Sequence, residues 1–195
     1  LQKDPESRPE SFEMIASQLN DFSRELTGGL LCPKPREMEL DRESKLDQGR
    51  GYIGLAANCQ YRSDYTKAGS LLTKADAIFS ELNDALGKVN VLSMQGILKL
   101  NEGSYEESLS CFREALGYFD ELENKPKEAR VYNNIGLVYM DIGNNEKSEA
   151  AFLKGMDLLD PQEHLNDIAS FYNNLSLLYR CLLYTSDAAD DVISV

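Results

Sequence analysis

The stretch "YNNIGLVY", residues 132–139, returns forty residues later as "YNNLSLLY", residues 172–179. Its large apolar or small residues fall at Tyr132, Ile135, Gly136 and Tyr139, the i, i+3, i+4, i+7 spacing of one helix face. Asparagine is a mediocre helix former, because its amide competes for nearby backbone groups. Two in mid-helix, used twice, therefore ask for a reason. Either they serve a surface that binds something, or they merely solvate an unused face.

Working outward, the same displacement of forty aligns "GYIGLAANCQYRSDYTKAGSLLTKA", "VLSMQGILKLNEGSYEESLSCFREA", "VYNNIGLVYMDIGNNEKSEAAFLKG" and the opening "FYNNLSLLYRC". The marked columns read Tyr52, Leu92, Tyr132, Tyr172; then Leu55, Gln95, Ile135, Leu175; then the small set Ala56, Gly96, Gly136, Ser176. Further on come Tyr65, Tyr105, Asn145, then Ala68, Ser108, Ser148, then Leu72, Phe112, Phe152, then Ala75, Ala115, Gly155. Apolar residues at helical spacing, small residues where helices must approach, and breakers such as "NEGSY" and "DIGNN" describe paired antiparallel helices. An all-α bundle with accidental self-similarity would not keep the displacement so constant.

These columns resemble the tetratricopeptide repeat, and the forty-residue period resembles its longer-helix class, typified by kinesin light chains and many bacterial regulators. The resemblance covers residues 44–180, as three complete pairs and the first helix of a fourth. It implies an all-α fold, a right-handed α-solenoid whose first helices line a concave groove for a protein or peptide. About three repeats are the minimum for a stable stacked core.

Composition narrows the function further. With 20 basic and 33 acidic residues the chain carries −13, which repels nucleic acid and anionic lipid. Cys32, Cys59, Cys111 and Cys181 are scattered and His164 is the lone histidine, so neither a metal site nor a cofactor is expected. No apolar run approaches the ~20 residues that span a bilayer, and no leader sequence is visible, so no membrane and a cytoplasmic setting are expected. "GRGYIG" fits G-x-G-x-x-G through Gly49, Gly51 and Gly54, but the charged, helical "DRESKLDQ" precedes it where a phosphate loop needs a strand. Those glycines are predicted to lie inside a helix and to loosen the first repeat. The doublets Glu106–Glu107 and Asp190–Asp191 read as solvated faces. No catalytic set is present, so this chain is not expected to be an enzyme.

The two ends differ from the middle. Asp4, Pro5, Arg8, Pro9, Phe12 and Ile15 resemble the "DP…RP…F…I" pattern that opens the last helix of a eukaryotic-type protein kinase domain, with Glu10 adding one residue to the commonest form. In that family the arginine pairs with a glutamate of the activation segment, which is absent here, so Arg8 would be a structural remnant. The resemblance implies residues 1–27 as the end of a kinase domain and 28–43 as linker and lead-in. The intact parent would then be a serine/threonine kinase with a recruiting or regulatory array; a non-kinase structural or oligomerisation array, or a transcriptional or signalling regulator, is the alternative. The chain starts at Leu1 without methionine and reads as cut from something longer. "CLLYTSDAADD", residues 181–191, abandons the repeat and resembles the translation of a transposase sequencing adapter, so residues 181–195 are expected to be an artefactual tail.

With ~100° per residue, Arg130, Asn133, Leu137, Met140 and Asp141 share the first-helix face away from the second helix. Asn90, Ser93, Ile97, Leu100 and Asn101, then Ser170, Asn173, Leu177 and Arg180, hold the same face in the neighbouring copies. Asn133 and Asn173 are thus predicted to point into the groove, with Asn134 and Asn174 on its flank. Their amides can donate and accept along an extended peptide, while Ile97, Leu137 and Leu177 hold its side chains. This resembles kinesin light chain-type binding; the lysine-rich clamp of chaperone-binding repeats is missing, since its column reads Ile53, Ser93, Asn133 and Asn173.

If Gly136 occupies the close-packing column, Gly136→Leu should lower the melting temperature more than Gly54→Leu, by an overpacking cost of ~1–3 kcal/mol. Equal melts for the two variants would mean that the columns are misaligned.

Overall fold

The computed structural model describes the backbone of residues 35–193 and the side chains of residues 39–180. The kinase-like stretch 1–27, with Arg8, lies outside the described residues. The chain divides into two units, Leu1–Gln48 and Gly49–Val195. Of the first, residues 35–48 are helical, with an i,i+4 ion pair between Lys45 and Asp41 at 3.3 Å. The repeats pack within the second.

Among the described residues there are helices and no strands: α1 (Pro35–Tyr61), α2 (Tyr65–Glu81), α3 (Ala85–Asn101), α4 (Tyr105–Leu116), α5 (Phe119–Leu122), α6 (Lys125–Ile142), α7 (Asn145–Asp157) and α8 (Leu165–Ile193). First helices α1, α3, α6 and α8 alternate with second helices α2, α4 and α7, which gives the α-solenoid of antiparallel pairs that the repeat predicts. Helix α1 begins inside the segment read as linker and lead-in, and "GRGYIG" lies wholly within it.

The turns reveal a period of twenty inside the period of forty. Left-handed backbone occurs at Ser63 (φ 59°), Asn83 (50°), Gly103 (74°), Glu123 (46°) and Gly143 (81°), each followed by a helix N-cap: Asp64, Asp84, Ser104, Asn124 and Asn144. The left-handed residue reverses the chain, and in four of these five turns the next N–H closes on a carbonyl five residues back: Asp64 to Cys59 and Asp84 to Phe79 at 2.9 Å, Ser104 to Lys99 at 2.8 Å, Asn144 to Tyr139 at 2.9 Å. Asp64, Asn124 and Asn144 then accept from the amides of Lys67, Lys127 and Lys147 at 3.1–3.2 Å, satisfying donors that the first turn leaves open. Two turns depart from the rule. The α7–α8 connection is built around Asp160, which accepts from Gln162 N at 2.7 Å. At Leu183–Tyr184, where the next turn would fall, neither residue suits a left-handed or capping role, and α8 runs on to Ile193.

Helices meet where a glycine lies under a ring. A Cβ at Gly96 would come within 2.6 Å of the Phe112 ring, and one at Gly136 would collide with Phe152; at Gly54 it would meet nothing within 4 Å. Beside each ring a buried hydroxyl ties the same two helices: Ser108 Oγ donates to Gly96 O at 2.7 Å and Ser148 Oγ to Gly136 O at 2.8 Å. The first repeat does this with Ala56, Ala68 and Leu72, all fully buried but without the hydroxyl. Volume is traded elsewhere too: a Cβ at Gly155 would come within 2.6 Å of the Phe171 ring, where the equivalent positions hold Ala75 with Val91 and Ala115 with Val131. Gly49 and Gly87 both abut Phe79, so one of the three glycines of "GRGYIG" has a packing reason while Gly51 and Gly54 face open space.

Glu123, like Ser63, is a turn residue whose side chain has no special tolerance of left-handed backbone, here at φ 46°. Glu123→Gly should raise the melting temperature, recovering part of the ~1–2 kcal/mol that left-handed backbone costs an ordinary residue. An unchanged or lower melt would show that the glutamate side chain offsets that strain.

Candidate interaction cleft

The first helices α1, α3 and α6 enclose a cleft of about 390 Å³. Its apolar wall comes from Ile53 on α1, Val89, Met94 and Ile97 on α3 and Val131 on α6; Ser93, Asn90 and Asn134 add neutral polar groups. Arg50, Lys127 and Arg130 also line it, and no carboxylate does.

Each polar group is placed by the repeat. Lys127 Nζ donates to Asn90 Oδ1 at 2.7 Å, crossing from α6 to α3. One repeat later the same two positions hold Arg130 and Asp167, where the guanidinium reaches Asp167 Oδ1 from both Nε and Nη2 at 3.1 Å. The rung is thus neutral acceptor with cation in one repeat and cation with anion in the next. Burial, then the neighbouring Arg130 charge, hold the Lys127 ammonium below the ordinary lysine pKa, with Asp84 opposing. A second rung pairs positions offset by 41: Ile53 with Met94, Ser93 with Asn134, and Asn133 with Asn174. In the last, Asn174 Nδ2 donates to Asn133 Oδ1 at 2.8 Å. Between α1 and α3 an additional bond runs from Gln60 Nε2 to Met94 O at 3.0 Å.

The asparagine doublet has a structural component here, the first amide of one copy bonding the second amide of the next. Of the residues expected to form the groove, the cleft brings together Asn90, Ser93, Ile97, Arg130 and Asn134. Asn133 and Asn174 form the rung beyond it; Asn173 and Leu177 are exposed on α8, Asn101 is exposed at the end of α3, and half-buried Leu137 packs on the core around Phe152 and Phe171. Sequence reasoning missed Arg50, Val89, Met94, Lys127 and Val131. The available signal was the offset of 41, which places Met94 and Asn134 on the same rung position as Asn174.

Among the described residues no group of His, Cys, Asp and Glu could hold a metal ion, and no helix is long and apolar enough to cross a membrane. Residues 89–160 match the tetratricopeptide repeat family. No curated protein matches the chain. Among solved structures it resembles BtubC (BKLC) from P. vanneervenii, with 22% identity, TM-score 0.63, and coverage of 86% of this chain and 64% of that one. It also resembles a signal transduction ATPase with numerous domains that carries a tetratricopeptide repeat sensor, from Pyrococcus horikoshii, with 18% identity, TM-score 0.62, and coverage of 75% and 23%. The chain thus spans less than two thirds of either protein's length, and at these identities the likeness is one of fold. Tetratricopeptide repeats are typically protein-interaction scaffolds, a role that needs no catalytic group.

The Asn133–Asn174 bond should be measurable as coupling. Asn133→Ala and Asn174→Ala should each lower stability by ~0.5–1.5 kcal/mol, and the double variant should cost hardly more than one of them. Full additivity in chemical denaturation would mean that the amides act separately.

Proposed function

We propose that the array is a protein-interaction scaffold whose α1–α3–α6 cleft takes a short peptide segment carrying carboxylates beside apolar side chains. The observation that carries this is the lining: three cations and no acid in a chain whose net charge is −13. Charge complementarity of that kind selects partners and fixes their register. The guanidinium of Arg130 suits a carboxylate fork, Ile53, Met94 and Ile97 receive an apolar side chain, and Ser93 and Asn134 can bond an extended backbone. Farther along, Asn133, Asn173 and Leu177 offer a continuation of the same path over α6 and α8. The kinase-like residues Asp4, Pro5, Arg8 and Pro9 support a parent in which this scaffold recruits substrates or regulators for a serine/threonine kinase; upstream sequence containing "HRD…N" and "DFG" within ~150 residues would test that parent.

Selection from a random peptide library should enrich segments with Asp or Glu next to Leu, Ile or Phe. Lys127→Gln with Arg130→Gln should weaken a selected peptide at least tenfold, about 1.4 kcal/mol, without loss of helicity. Unchanged affinity in the folded double variant would overturn the cleft as the binding site.

A further inference from the structure

Arg130 has two roles that cannot be met at once. It lines the cleft, and its guanidinium is already engaged by Asp167 on α8, a helix that contributes nothing to the cleft wall. We propose that Asp167 is a built-in competitor for the ligand's acidic group, holding Arg130 until a carboxylate in the cleft displaces it. This rests on the reading of the cleft as a carboxylate site.

The geometry favours exchange over a permanent lock. Both guanidinium contacts go to one oxygen of Asp167, at 3.1 Å each, whereas a parallel fork would engage two. The Arg130 side chain is 68% exposed, so a ligand can reach it without unpacking a helix, and exposed pairs of this kind hold weakly. The equivalent pair one repeat earlier lacks the competitor: Lys127 faces the neutral amide of Asn90, which a charged carboxylate outmatches as an acceptor. Of the two cations that α6 brings to the cleft, Lys127 is held only by a neutral amide, while capture of Arg130 requires that α8 release it. Ligand binding at α1–α3–α6 is thereby coupled to the α6–α8 contact, and the acidity of the ligand is sensed by the cost of separating Arg130 from Asp167.

The test uses the whole chain, a fluorescein-labelled decamer of alternating Leu and Glu as probe, and its Leu–Gln counterpart as control. Asp167→Asn should raise affinity for the acidic decamer at least threefold and leave the control unchanged. In an Arg130→Gln background the same substitution should give no gain. A gain that persists without Arg130 would mean only a change in surface field and would overturn the competition, as would no gain at all. A probe-independent measurement separates the two readings: phenylglyoxal should modify Arg130 at least threefold faster in Asp167→Asn, followed by mass spectrometry. An unchanged rate overturns the pairing whether or not the decamer binds. Faster modification with no binding by any variant would remove the cleft's carboxylate role, and the competitor role with it, while leaving the pair itself established.

Discussion

Everything in the array depends on how closely a first helix can approach its second helix. At Gly96 and Gly136 the absence of a Cβ lets a phenylalanine ring lie directly on the backbone, and the same bare backbone exposes a carbonyl that Ser108 or Ser148 can reach. The two features require each other. A side chain at the glycine would lift the ring and carry the hydroxyl beyond bonding distance, leaving a buried polar group unpaired, which costs more than the bond itself contributes. Where the first repeat has Ala56 it also has Ala68, and the hydroxyl disappears together with the glycine.

That approach fixes the axis of each helix pair; the turns fix when the next helix begins. A left-handed residue followed by an N-cap residue, repeated every twenty residues from Ser63 to Asn144, gives first and second helices a common punctuation, so that only their faces distinguish them. The first helices consequently stack beside one another, and positions 37 residues apart meet in two successive repeats and positions 41 apart in one. Lys127 with Asn90, Arg130 with Asp167 and Asn133 with Asn174 are products of those offsets. The cleft is therefore a consequence of the scaffold, and its chemistry is set by which residues happen to occupy two rung positions.

Helix pairing and the close-packing column were legible in the sequence because both are periodic and each copy confirms the others. The half-period of twenty was less visible, because "SD", "ND", "GS", "EN" and "GN" share a role without sharing letters: a left-handed backbone tolerated by several residues, then any short side chain able to cap. The site was only partly legible. A helical wheel assigns a face to Ile97, Arg130 and Asn133, but it cannot say which neighbour's side chain arrives beside them. Asn133 was expected to face a ligand, and it bonds Asn174; Lys127, near the start of α6, belongs to the cleft because α3 presents Asn90 to it. Residue pairing across repeats depends on the stagger of adjacent helices, and a single helix does not encode that stagger.

The rungs also explain why a groove surface can be polar without being costly to the fold. Apolar rung positions such as Ile53 and Met94 offer a partner only shape; an amide rung such as Asn133 with Asn174 satisfies its own hydrogen bond while leaving donor and acceptor capacity over. A charged rung such as Arg130 with Asp167 goes further, because the guanidinium is paired yet largely exposed, and its charge is the one a ligand carboxylate would need. Passing along the first helices from Ile53 to Asp167, the rung positions change from apolar to amide to charged, and the cleft sits where the apolar and charged kinds meet.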